Sequence, residues 1–269
     1  MLRQLLLVAL LLELTRTVSA ADLKPSTVIA FDHYVQLTEQ RMATDLPVTF
    51  LRIDSLPSDQ RDAAYTRLRA GEVITERIDT LENGKSIPIP GGMIHHWLGA
   101  AFLKGTTLQK TLAFLQDYDH QDKYYAPDVQ RSKLLQRNGD DFRIFLRLRK
   151  HKVVTALLNT EYEVKYTTLD PSRSTSRALS TRIAEVENPD RPDAAEKPIG
   201  NDSGYLWRLY SYWRFYERDG GVYIQLEAIS LTRGIPAGFG WLIRPFITSI
   251  PQESLTFTLT RTRDALEKP

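Results

Sequence analysis

Cysteine is absent from all 269 residues of the chain. That removes disulfides, thiolate metal sites, a cysteine nucleophile and a lipid-modified N-terminal cysteine in one step. A surplus of one charge sign is missing too: 35 Lys and Arg stand against 33 Asp and Glu, a formal net charge of +2. Bulk electrostatics therefore gives no ground for a nucleic-acid partner. No apolar run after the first twenty residues approaches the ~20 residues that a transmembrane helix needs. Catalytic signatures are missing as well. There is no Gly-x-Ser-x-Gly elbow, phosphate loop, dinucleotide fingerprint or His-Glu-x-x-His. No metal or organic cofactor is implied.

What is present is an ordinary foldable composition, 42% apolar, 25% charged and 10% aromatic, long enough to bury a sizeable core. The start reads as an address. Arg3 is followed by an apolar run, Leu5 to Leu12, and then by Val18-Ser19-Ala20, small residues suited to cleavage before Ala21. This is the pattern of a secretory signal peptide over residues 1–20. With no cysteine to staple it, the mature chain is expected in a bacterial periplasm or outside the cell.

Residues 26–44 carry Val28, Phe31, Val35, Thr38 and Met42 at helical spacing, with Ser26 as the expected N-cap. A second helix follows Pro57 and Ser58, keeps Ala64 and Leu68 on one face and stops at Gly71. These two form an N-terminal helical segment, 21–70. From residue 72 the period changes to that of strands, at 73–78 and 93–102, with an Asn83-Gly84 turn between them. Residues 106–125 are helical again, and strands then run to about 232. Residues 187–204, with three prolines and many polar groups, read as a flexible loop.

Two hairpins are legible. Asp219-Gly220 suits a two-residue loop with both φ positive. It sets Phe215 against Ile224, Trp213 against Leu226 and Ser211 against Ala228. The opposite face then pairs Tyr216 with Tyr223, Arg214 with Gln225 and Tyr212 with Glu227. One face is apolar and the other amphipathic, so the register supports itself. Arg214 and Glu227 are expected to pair across an outer, polar face. Asn138-Gly139 turns the other hairpin, setting Leu135 against Phe142 and Val129 against Leu148.

Local propensity at the C-terminus is divided. Leu255-Thr256-Phe257-Thr258-Leu259-Thr260 alternates like a strand, yet Leu255, Leu259 and Leu266 share a helical face. The segments Ser211-Tyr212-Trp213-Arg214-Phe215, Asp219-Gly220-Gly221-Val222-Tyr223 and Leu226-Glu227-Ala228-Ile229-Ser230-Leu231 resemble the last hairpin of bacterial members of the START-like (SRPBCC) superfamily. Gly240-Trp241-Leu242-Ile243-Arg244-Pro245-Phe246, then Ser249-Ile250-Pro251 and Glu253-Ser254-Leu255, resemble the approach to their final helix. The resemblance covers about residues 71–269, most specifically 205–266.

It implies an α+β helix-grip fold, in which a curved antiparallel sheet wraps a long C-terminal helix over 251–266, with a cavity between them. In that cavity Trp207, Leu209, Trp213, Phe215, Ile224 and Leu226 would point inward, and Leu255 and Leu259 would face them from the helix. Plain core is the competing reading for each. The expected partner is a hydrophobic or lipid-like small molecule, with room for peripheral membrane contact. The expected function is binding without catalysis. A cyclase-like or hydrolase-like enzyme using His95 or His96 with Tyr212 and Glu227, or an interaction module with a collapsed cavity, are the alternatives.

Three polar features complete the inventory. His95 and His96 are adjacent on a strand and point to opposite faces, so they cannot chelate one ion together; one hydrogen-bonded and one solvent-facing ring are expected. Asp117, Asp119, His120 and Asp122 carry ligand atoms but lack calcium-loop spacing. Arg147, Arg149, Lys150, His151 and Lys152 form a basic cluster able to hold a phosphate or lipid headgroup.

Overall fold

A computed structural model describes residues 21–151, 155–191, 194–234 and 240–267, with the backbone alone for 240–248. The expected signal peptide and Lys152 lie outside the described residues. The N-terminal segment contains α1 (Pro25–Asp45), a 3-10 turn (Arg52–Ser55) and α2 (Ser58–Arg69). Pro25 occupies the first turn of α1 and Lys24 the N-cap, not Ser26. A proline there gives up only a backbone N–H that has no intrahelical partner. Gly71, at φ +90°, terminates α2.

Eight long strands follow: β1 (Ile74–Arg77), β2 (Gly92–Lys104), β3 (Val129–Asn138), β4 (Asp141–His151), β5 (Thr155–Asp170), β6 (Arg173–Glu187), β7 (Arg208–Arg218) and β8 (Gly221–Arg233). They form one antiparallel sheet in the order β1-β2-β8-β7-β6-β5-β4-β3, and Ala195–Glu196 pairs off β6. Between β2 and β3 lie α3 (Leu108–Leu115), capped by the Thr107 hydroxyl, and α4 (Gln121–Tyr124). The chain closes with α5 (Gly240–Leu266). Helix wins over strand alternation there because Leu255 and Leu259 are buried along one stripe, while Thr256, Thr258 and Thr262 turn their hydroxyls back onto carbonyls four residues earlier. The α+β helix-grip arrangement is thus present, and its helix begins about ten residues before the expected 251.

The β7–β8 hairpin has the expected register at every pair from Ser211↔Ala228 to Arg218↔Gly221, with Asp219 and Gly220 at φ 58° and 75°. The β3–β4 hairpin does not. Its two-residue loop is Gly139-Asp140, so Arg137 faces Phe142, and two bulges shift the register before Val129 meets Leu148. Leu135 sits at one bulge and is exposed. Within 187–204, Ala195 pairs with Glu187 at the end of β6, and Asn201 pairs with Asp22 in a separate two-stranded sheet.

The sheet is the middle of three layers. On one face lie α5, α3 and α4; on the other lie α1, the 3-10 turn and α2. The face expected to be outer and polar is therefore covered: Tyr212, Tyr223, Gln225 and Glu227 are all buried under the N-terminal segment.

Candidate functional site

Direct cross-strand partners share a face, so the pairings assign sides. Gly99, opposite Leu226, is the contact point of α5: a Cβ built on it would lie 2.5 Å from Leu259 Cδ1 and 3.1 Å from Leu255. The side of Gly99 and Leu226 is thus the α5 side. It also carries Trp97 and His95 on β2, Ala228 and Ser230 on β8, and Leu209, Ser211, Trp213 and Phe215 on β7. Beyond them come Ser174, Ser176, Ala178 and Ser180 on β6, and Tyr162, Val164 and Tyr166 on β5.

Of the eight expected cavity residues, seven join the α5-side core: Phe215, Ile224, Leu226, Leu255 and Leu259 fully buried, Leu209 and Trp213 partly. Trp207 does not. It precedes the pleat of β7, packs with Phe31, Tyr34 and Val35 on the α1 side, and donates its ring N–H to Asp202 at 3.0 Å. The alternation used to place it inward does not extend to a residue outside the strand.

Packing on this face is uneven. At Gly99 the helix touches the sheet directly and leaves no room. Near Phe142 and Tyr166, α3 and the chain after it close the face, and the Tyr118 and Tyr166 hydroxyls meet at 2.9 Å. Between these two seals, Trp97, Leu146, Ala178, Leu209, Ser211, Trp213 and Ala228 stay only half-buried, although they lie in the interior of a wide sheet. Trp213 stacks on Phe215 with ring centres 5.7 Å apart and planes 8° from parallel. A recess of about 660 Å³ lies elsewhere, along the flank of α5 with Gln252, Thr256, Phe257 and Thr260.

His95 and His96 do point to opposite faces, but neither is solvent-facing, at 5% and 1% exposure. His96 joins a sealed network beneath α1. Tyr34 Oη accepts from the Thr80 N–H at 2.9 Å and shares a hydrogen bond with His96 Nδ1, also at 2.9 Å. His96 Nε2 then donates to Glu227 at 2.7 Å, and Arg41 pairs with the same carboxylate oxygen. Burial would raise the Glu227 carboxyl, but the His96 hydrogen bond and Arg41 outweigh it and hold it below its ordinary value. Arg214 does not bond to Glu227; it donates to the Phe50 carbonyl at 2.8 Å. Tyr212 donates to Glu39 at 2.7 Å, and burial together with that carboxylate pushes its pKa up. Sequence reasoning missed Tyr34, Arg41 and Glu39. Their signal is a stripe on α1, Tyr34-Thr38-Arg41, running beside the apolar one.

No group of three metal-ligating side chains is assembled among the described residues. His120 Nδ1 bonds Asp117 at 2.8 Å, and Asp119 accepts from the Leu134 N–H. The four described members of the basic cluster have partners within the chain: Arg147 bonds Asn159, Arg149 pairs with Asp190, Lys150 with Asp128, and His151 bonds Thr155. No described helix is long and apolar enough to cross a membrane.

These features define an α+β helix-grip protein whose sheet packs α5 on one face and, on the other, the N-terminal segment with its buried Tyr34–His96–Glu227–Arg41 network. No family model and no curated protein matches the chain. Solved structures are similar to it at the level of the fold. A STAR-related lipid transfer protein fragment from Xanthomonas axonopodis is 16% identical, with a TM-score of 0.46, over 72% of this chain and 99% of that one. Human STARD10 is 10% identical, with a TM-score of 0.42, over 77% and 80%. The Streptomyces aromatase/cyclase Zhui is 12% identical, with a TM-score of 0.42, over 65% and 94%.

Proposed function

We propose that this chain is an exported binding protein that holds an apolar or amphipathic, lipid-like small molecule against the α5 side of its sheet, without catalysis. The observation that carries the reading is the half-buried floor around Trp97, Leu209 and Trp213. Large apolar side chains in mid-sheet normally find a protein cover, and a mostly apolar lining with a few polar groups is the usual character of a small-molecule site. Export rests on the Leu5–Leu12 run and the small residues before Ala21. The absence of catalysis is supported by where the acid–base groups lie. Glu227 and His96, 2% and 1% exposed, sit under α1 with Tyr212, across the sheet from the floor. The enzymatic alternative built on Tyr212 and Glu227 needs them in the floor.

The test is native mass spectrometry of the protein beginning at Ala21 after incubation with a lipid extract. A retained adduct, displaced by excess of a fluorescent long-chain probe, is expected. A protein that neither retains nor binds any apolar ligand overturns the reading.

A further inference from the structure

The carboxylate of Glu227, 2% exposed, lies sealed beneath α1 and faces basic side chains from three elements. His96 on β2 donates to it at 2.7 Å, Arg41 on α1 pairs with the same oxygen, and Arg214 on β7 is favoured by it and disfavoured by Arg41. Arg214 is 8% exposed, so its charge has little water to rely on. The other titratable groups in reach do not replace Glu227. Tyr34 and Tyr212 are neutral, and burial holds both pKa values above the ordinary 10. Asp45 lies 3.5 Å from Arg41 but is 40% exposed, and Asp79, which acts on Tyr34, lies at the surface beside Arg77. Protonating Glu227 therefore leaves Arg41 and Arg214 as like charges in one sealed layer, a costly arrangement. Lifting α1 returns Arg41 to water.

The other charged anchors of α1 are carboxylate pairs too. Glu39 accepts from Tyr212 at 2.7 Å and pairs with Arg177 at 2.8 Å, and His33 pairs with Glu82 at the surface. Neutral hydrogen bonds join Thr27 to the Pro90 carbonyl, and Tyr34 and Thr38 to Thr80. The anchor of α2 is of another kind. The Arg218 guanidinium lies 4.5, 4.8 and 5.1 Å from the ring centres of Tyr65, Tyr216 and Tyr223. An arginine keeps its charge in acid and a tyrosine ring keeps its face, so this attraction does not titrate. Asp54 and Asp219 flank the guanidinium at 3.8 Å each, outside hydrogen-bond range. Between the two helices Arg214 grips the Phe50 carbonyl at 2.8 Å, which leaves residues 46–49 as the place to bend.

We propose that α1 is an acid-released strap: protonation of Glu227 frees it from the sheet and uncovers the strip that carries Trp207, Tyr210 and Ile229, while α2 stays docked. Burial raises the Glu227 pKa, but His96 and Arg41 hold it below its ordinary 4.5. The strap is therefore fastened above about pH 4.5 and loosens as pH falls through the folded value. The device is independent of the ligand face across the sheet.

The experiment is hydrogen exchange of the protein beginning at Ala21 at pH 7.5, 5.5 and 3.5, read by mass spectrometry and corrected for the intrinsic pH dependence of exchange. Peptides of α1 should lose about tenfold or more in protection between pH 5.5 and 3.5, and those of α2 and of the β7–β8 hairpin less than about threefold. Arg41→Met, which removes one of the facing cations, should shrink the loss in α1 to that of α2. Glu227→Gln should show fast exchange in α1 already at pH 7.5. Circular dichroism establishes that the variants are folded; if neither is, the comparison of α1 with α2 in the wild type decides alone. Loss of protection in α1 and α2 together, retention of both, or an acid response unchanged in Arg41→Met overturns the proposal.

Discussion

Replacing Glu227 by Gln tests how the N-terminal segment is held. The carboxylate is 3% exposed and receives the His96 N–H at 2.7 Å and the Arg41 guanidinium. Without it, Arg41 loses its buried partner, and Arg214 loses a buried negative charge that favours its own positive one. Breaking a buried pair by removing one member costs about 3–5 kcal/mol. Arg41 is 32% exposed and recovers some hydration, so about 3 kcal/mol is expected, a large share of the ~5–15 kcal/mol that holds most domains together. Urea unfolding followed by circular dichroism at pH 7.5 should show a lower midpoint at unchanged slope, and hydrogen exchange should speed up in α1. The pH dependence follows. The folded Glu227 pKa is depressed below its ordinary 4.5, so its stabilisation is complete above about pH 4.5 and is lost as pH falls through the folded value. Glu227→Gln should flatten that acid limb. A change under 1 kcal/mol, with an unaltered acid limb, would refute the idea that this network docks α1.

The remaining predictions concern single positions. For His95, with a folded pKa of about 4 against an ordinary 6.5, the unfolded chain binds the extra proton between those values. Stability should therefore fall by about 3 kcal/mol as pH drops from 6.5 to 4, and a pH series of urea midpoints should lose that component in His95→Phe. Gly99→Ala would press a methyl onto Leu259 and should cost about 1–3 kcal/mol by overpacking, read as a fall in thermal midpoint. Gly220→Ala meets no neighbouring atom, so its cost is the positive φ of 75° alone, about 1–2 kcal/mol in the same assay. Leu259→Ala, at a fully buried position, should cost about 2–5 kcal/mol.

How far the sequence reached depended on how local each determinant is. Asp219-Gly220 sets its own backbone geometry, so one dipeptide determined the whole register of β7 and β8. Asn138-Gly139 is as strong a signal, but the loop lies one residue later and bulges intervene; bulges carry no composition of their own, and Leu135 was misplaced. Trp207 was misplaced because alternation holds only inside a pleat. The larger gap was the polar face of β7 and β8. Tyr212, Arg214 and Glu227 read as solvent-facing because residues of those types usually are. Their partners lie 173, 164 and 186 residues away, at Glu39, Phe50 and Arg41, and no local pattern announces such pairings. The α5-side face was legible because hydrophobic alternation needs no partner to be read, and seven of the eight residues chosen from it meet in one cluster.

The central claim, that an apolar ligand sits on the α5 side of the sheet, is tested most directly by bromine quenching in single-tryptophan variants. Trp97 and Trp213 lie on the proposed floor, whereas Trp207 lies across the sheet beneath α1. A long-chain alcohol brominated along its chain should quench the protein that retains Trp213 alone, or Trp97 alone, with a saturable curve, and should leave the protein that retains Trp207 alone unaffected. Saturable quenching of Trp207 without quenching of Trp97 or Trp213 would contradict the account.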